Sequence, residues 1–140
     1  MPQNTSPIFI LTPNTPCVVL TGSTNRDSPS GNTYTSLFSG GTNGSRLDSV
    51  QFTNAFSGVT ASSAMVHRVY ITDTSGLTPR LIAEVATATV TSSVSVVGAQ
   101  SIINFTNGLL VQTGQQIRVG QSVYAGAQDT FHVLAKGGDY

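Results

Sequence analysis

Met65-Val66-His67-Arg68-Val69-Tyr70-Ile71-Thr72 places Met65, His67, Val69 and Ile71 on one side of an extended chain and Val66, Arg68 and Tyr70 on the other. A period of two with one apolar side is the pattern of a half-buried β-strand. The pattern recurs in both directions. Val50 and Phe52 share a side, with Ser49 and Gln51 opposite, and Leu81, Ala83 and Val85 alternate with Ile82 and Glu84. Ile117, Val119, Gln121 and Val123 alternate with Arg118, Gly120 and Ser122, and Phe131, Val133 and Ala135 with His132 and Leu134. Fainter strands are expected over 18–21, 33–39, 87–96, 101–105 and 109–111.

Fifteen valines dominate the apolar set, and no helical period is visible. Branched side chains fit a pleated surface and lose χ1 freedom in a helix. Turn signals separate the strands: Ser39-Gly40-Gly41, Asn43-Gly44, Thr74-Ser75-Gly76, Asn107-Gly108, Thr113-Gly114 and Ala125-Gly126. About eight short strands at this spacing predict an all-β fold, an antiparallel β-sandwich wound like a jelly roll.

The first sixteen residues read differently. Pro2, Pro7, Pro13 and Pro16 disfavour helix and bias the preceding residues towards extended backbone. They enclose a compact apolar stretch, Ile8-Phe9-Ile10-Leu11. The expected organisation is an extended N-terminal arm over 1–16, able to reach about 50 Å, and a sandwich domain over 17–140. The arm can lay a strand on a neighbour's sheet edge or pack as a first strand on its own domain; both readings stay open. The polar stretch 22–31 is expected to be a surface loop.

A chain of 140 residues suits one domain and needs neither disulfide nor metal to fold. The single cysteine, Cys17, excludes an internal disulfide and a cysteine-based zinc cluster. Six basic and six acidic residues give no net charge, and charged residues are only 9% of the chain, against roughly 25% in ordinary domains. One lysine, Lys136, makes a nucleic-acid-binding face an unexpected use of this surface. Solubility rests on neutral groups: 19 Thr, 17 Ser, 8 Asn and 8 Gln. Such a surface offers little self-repulsion and favours association. No apolar run reaches membrane-spanning length, so no membrane partner is expected. The N-terminus lacks the basic region of an export signal.

Catalytic signatures are weak. The chain has no phosphate-binding loop, no G-x-S-x-G elbow and no EF-hand loop. Glu84 is the sole glutamate, a poor start for a carboxylate pair. His67 falls on an apolar side and is expected to be a hydrogen-bonded core or interface histidine, while His132 is expected at a rim. Arg46 and Asp48, two apart, share a side if their segment is a strand, and can each pair across strands or with one another at the edge. Arg68, Arg80 and Arg118 are expected to cap a solvated face. The chain is therefore read as a non-enzyme without cofactor.

Two segments carry a resemblance. Gly44-Ser45-Arg46-Leu47-Asp48-Ser49-Val50 opens the central block, and the chain closes on Lys136-Gly137-Gly138-Asp139-Tyr140. Together they resemble a group of small virion proteins of tailed bacteriophages, in which a G-x-R-[IL]-D-x-[IV] segment and a terminal Gly-Gly-Asp-aromatic recur. The resemblance covers roughly residues 40–140. It implies a capsid decoration or cement protein, assembled in the host cytoplasm. Such a protein would sit as a homotrimer on the outer capsid surface, with the major capsid protein as partner. A tail, baseplate or fibre component, or a carbohydrate- or receptor-binding module, are the alternatives. The expected contact residues are Ile8, Phe9, Ile10 and Leu11 in the arm and Asp139 and Tyr140 at the end; a frayed tail is the plain reading of the latter.

Overall fold

The computed structural model describes residues 12–20, 35–56, 58–93 and 95–140. The described residues form nine strands and one 3-10 turn: β1 (Thr12–Asn14), β2 (Cys17–Leu20), β3 (Thr35–Ser39), β4 (Ser45–Asn54), β5 (Met65–Ile71), β6 (Arg80–Thr87), β7 (Gln100–Val111), β8 (Gln116–Gln121), a turn over Ala127–Asp129, and β9 (Phe131–Asp139). They make an all-β sandwich of two antiparallel sheets. One sheet runs β1-β9-β4-β7, with β2 following β1 along the same side of β9. The other runs β3-β8-β5-β6.

Pairing is nested. β2 pairs with β9, β3 with β8, β4 with β7 and β5 with β6. The first half of the chain thus runs as a ribbon against the second half, and successive pairs alternate between the sheets. The pairs β4–β9 and β5–β8 complete each sheet.

The alternation read from the sequence decides which side of each strand is covered. Leu47, Val50 and Phe52 of β4 and Phe131, Val133 and Ala135 of β9 face Met65 and Val69 of β5 and Ile117 and Val119 of β8, all buried. Burial of each such side chain stabilises the fold by roughly 1.5–3 kcal/mol relative to exposure.

Prolines fit where they fall. Pro13 lies in β1, an edge strand, where a missing N–H costs no ladder bond. The ladder along β9 bridges the break between β1 and β2 through Ala135 N–H donating to the Pro16 carbonyl, 3.0 Å. Of the expected arm, residues 8–11 and the loop over 22–31 lie outside the described residues. Residues 12–14 form β1 on the chain's own β9.

Two local expectations are corrected. Asn107-Gly108 does not divide two strands, because β7 runs unbroken from Gln100 to Val111. Both residues have positive φ, 66° and 75°, but they form a bulge instead of a reversal. Register moves from Leu47↔Leu109 to Ser49↔Asn104, so residues 105–108 stand opposite Asp48 alone. Extra residues in one strand kink it without ending its pairing. The expected strand over 87–96 is also absent. β6 ends at Thr87, and beyond it only an isolated Ser93–Val96 bridge forms among the described residues. This stretch crosses from one sheet to the other, and its polar groups bond loops. Ser62 N–H donates to the Val90 carbonyl at 2.9 Å, and Ser92 Oγ donates to the Phe56 carbonyl at 2.7 Å.

Other turn signals hold. Gly44, Gly76 and Gly114 have φ of 87°, 74° and 84°, the region where a Cβ is strained. In the turn after β5, Asp73 Oδ1 accepts from Ser75 N–H, Ser75 Oγ and Leu77 N–H. The Ser75 hydroxyl is the foremost cause holding that carboxyl below its ordinary range, followed by the Leu77 N–H.

Candidate functional site

The two sequence segments that carry the resemblance meet in space. Antiparallel pairing of β4 with β9 sets Ser45 opposite Asp139, Arg46 opposite Gly138 and Leu47 opposite Gly137. The register then slips: Leu47↔Gly137 is followed by Ser49↔Lys136, which leaves Asp48 as an extra residue in β4. β1 flanks the other side, with Thr12 opposite Asp139 and Asn14 opposite Gly137.

Gly137 explains why glycine stands here. It is absent from the positive-φ glycines, so its backbone conformation is open to other residues. Space is what it lacks. A Cβ on Gly137 would lie 2.0 Å from the Arg46 carbonyl oxygen and 3.1 Å from its carbon. The bulge at Asp48 and this close approach are parts of one feature.

A polar clasp closes the end of the sheet. Buried Ser45 accepts a hydrogen bond from Gly41 N–H at 2.8 Å and donates from its hydroxyl to Asp139 Oδ1 at 2.5 Å. Gly41 lies so close that a Cβ there would meet Asp139 Cγ at 2.9 Å. Tyr140 N–H donates to the Gly44 carbonyl at 3.2 Å, and Asn43 Nδ2 donates to the Tyr140 carbonyl at 3.4 Å. The chain end is therefore held against the 41–45 loop by both backbone and side chains, the opposite of a frayed tail. Asp139 and Tyr140, singled out for contact with a partner, have their first partners within the chain; residues 8–11, named with them, lie outside the described residues.

Arg46 and Asp48 form the exposed rim of the clasp. Arg46 Nε meets Asp48 Oδ1 at 2.6 Å, with the side chains 42% and 41% exposed. The arginine lies across the β7 bulge, where a Cβ on Gly108 would come within 2.4 Å of Arg46 Nε. An ion pair this wet adds little stability; its geometry presents a guanidinium and a carboxylate side by side at the surface.

The remaining charged groups depart from expectation in one case. Arg80 is exposed, as a capping residue should be. Arg68 is only 8% exposed, and its Nε donates to Glu84 Oε1 at 3.0 Å across β5 and β6. Arg118 Nη2 donates to the Gly76 carbonyl at 2.8 Å and to Gln116 Oε1 at 2.9 Å. The outward side of the second sheet is thus covered near Arg68 instead of open to solvent.

Sequence reasoning missed Asp129. This wholly buried carboxylate accepts from Ser63 N–H at 2.7 Å, Ser63 Oγ at 3.1 Å and Ala125 N–H at 2.7 Å, tying two loops together. Only its place in a turn between two strands was legible. Among the described residues no group of three or more His, Cys, Asp or Glu could hold a metal ion. No helix among them is long and apolar enough to cross a membrane.

No family model matches the chain, no curated protein matches it, and no solved structure matches it.

Proposed function

We propose that the chain is a bacteriophage virion structural protein, a capsid decoration or cement protein that binds the major capsid shell as a trimer. The observation that carries the reading is the clasp. The G-x-R-[IL]-D-x-[IV] segment and the terminal Gly-Gly-Asp-aromatic, far apart in sequence, are cross-strand neighbours from Ser45↔Asp139 to Leu47↔Gly137. The two segments thereby form one structural unit in this chain, which supports reading them together.

The winding supports the same reading. Nested pairs β2–β9, β3–β8, β4–β7 and β5–β6 support a jelly-roll-like winding of the sandwich, and jelly rolls are an architecture that viral capsid domains share with lectins and cupins. Fold does not assign function, and the motifs give the choice among these its direction. A neutral surface suits a passive clamp that repeats at each junction of a shell, where occupancy stabilises the bound form by mass action. Trimeric presentation lets weak contacts suffice.

In this reading the arm residues Ile8 to Leu11 supply the apolar anchor. The variant that tests them lacks residues 1–11, because removal of 1–16 would also strip β1 from β9. Purified chain is mixed with isolated shells lacking it and with isolated tails, and co-sedimentation is measured. Binding to shells by the full chain, with loss in the truncated but folded variant, is the expected result. Binding to tails alone, or to neither, overturns the decoration reading. Unchanged shell binding by the truncated chain removes the arm from it.

A further inference from the structure

His67 is expected from its sequence to be a hydrogen-bonded core or interface histidine. It is wholly buried, and neither ring nitrogen has a hydrogen-bond partner. The ring projects from β5 of the second sheet and is held by the first. It stacks on Phe52 of β4 at 4.5 Å between centroids, 17° from parallel, and tilts against Phe131 of β9 at 4.4 Å.

The surroundings offer a cation no counter-charge. Phe52 and Phe131 face the ring from the opposite sheet. Beside it in its own sheet stand Gln121 of β8 and Val85 of β6, its register partners. None of the four carries a charge. Gln121 donates both amide hydrogens away, to the Val123 carbonyl at 2.9 Å and the Asp129 carbonyl at 2.8 Å, and its own Oε1 has no partner. The acid reached next along these contacts is Asp129, whose carboxylate is engaged by Ser63 and Ala125.

We propose that His67 is a proton-operated release between the two sheets. Uncharged, it fills the core as a third aromatic ring. Charged, it faces no counter-charge and makes no hydrogen bond in the closed sandwich, and protonation favours opening between β5 and the β4–β9 pair, which hydrates it. An unpaired buried charge is among the most unfavourable groups a core can hold.

The direction in pH follows. Burial lowers the His67 pKa from an ordinary 6.5 to about 4. Between those values the unfolded chain binds the proton and the folded chain does not. Stability is therefore full above pH 6.5, falls as pH drops towards 4, and levels off below. Between pH 7.5 and 5 the folding constant should fall about 30-fold from this residue alone, approaching about 300-fold below pH 4.

The test compares urea unfolding of the full chain at pH 7.5 and 5, a range above most carboxylate titration. Wild type should lose about 30-fold in its folding constant over that range. His67→Phe and His67→Leu should lose little, and His132→Asn, altering the exposed histidine, should behave as wild type. Ring resonances of His67 in the folded wild type, followed by NMR, should show no titration down to pH 5. A His67 that titrates above pH 6, or an undiminished pH dependence in a folded His67 variant, overturns the proposal. The NMR reading decides alone if neither variant folds.

Discussion

Replacing Gly137 by alanine tests whether close approach, and not backbone freedom, selects the glycine in the terminal segment. The added Cβ would lie 2.0 Å from the Arg46 carbonyl oxygen and 3.2 Å from Leu47 Cα. All its nearest neighbours are backbone atoms of β4, so no side chain can rotate away. The strands must separate by more than an ångström beside the Asp48 bulge. Overpacking of this kind costs about 1–3 kcal/mol. Separation also weakens the pairing from Leu47↔Gly137 to Ser45↔Asp139, at about 1 kcal/mol per hydrogen bond. The entropy gained from removing a glycine in the unfolded chain returns less than about 1 kcal/mol. A net loss of about 3 kcal/mol is expected, equivalent to a Tm lower by roughly 10 °C for a domain of this size. Gly126→Ala supplies the contrast. Its Cβ would meet only the end of the Gln128 side chain, at 2.7 Å from Oε1, and that side chain can move. Its expected effect is within about 0.5 kcal/mol. Guanidinium unfolding monitored by circular dichroism measures both. A Gly137→Ala protein as stable as wild type, or a Gly126→Ala protein equally damaged, would refute the reasoning from backbone contact.

Two further substitutions probe the same end of the sheet. Ser45→Ala removes the acceptor of Gly41 N–H and the donor to Asp139, and should cost about 1–3 kcal/mol because both groups are left unpaired. Asp139→Asn keeps an acceptor for the hydroxyl and should cost less; urea midpoints of the two variants rank them. Asn107→Ala places a Cβ-bearing residue without an amide at φ 66° and should lose roughly 1 kcal/mol, whereas Asn107→Gly should not. Thermal unfolding of the pair checks the sign.

Much of the fold was legible because period-two alternation is a local property. Met65-His67-Val69 and Phe131-Val133-Ala135 were assigned their inward sides from sequence and are buried, while Ile71 is half-buried and β5 also buries Arg68 and Tyr70 on its outward side. Gln121 was placed among the inward residues by the same count and is buried. Failures came where a local signal has two uses. Asn107-Gly108 marks positive φ, and positive φ serves a bulge as well as a reversal; the choice lies with β4, which runs past both halves of β7. Valines over 87–96 look like a strand, yet among the described residues this stretch forms only the isolated Ser93–Val96 bridge.

The candidate site divides the same way. Gly44, Arg46, Asp48 and the terminal Gly-Gly-Asp-Tyr were visible as residues worth naming; a spacing of two put Arg46 and Asp48 on one side, and the structure chose their mutual pair over separate cross-strand partners. Their convergence was not visible, because Ser45 and Asp139 are 94 residues apart in the chain. His67 shows the boundary most sharply. Its inward side was set by alternation with its neighbours along β5. That its nitrogens find no partner was decided by Phe52 and Phe131, which belong to the other sheet. The sequence by itself determined the class of fold, the faces of the strands and the positions of most turns, since each depends on steric and solvation preferences within a few residues. Register, the bulge at Asp48, the clasp on Asp139 and the environment of His67 were decided by tertiary structure, since each depends on which distant backbone or ring occupies the adjoining space.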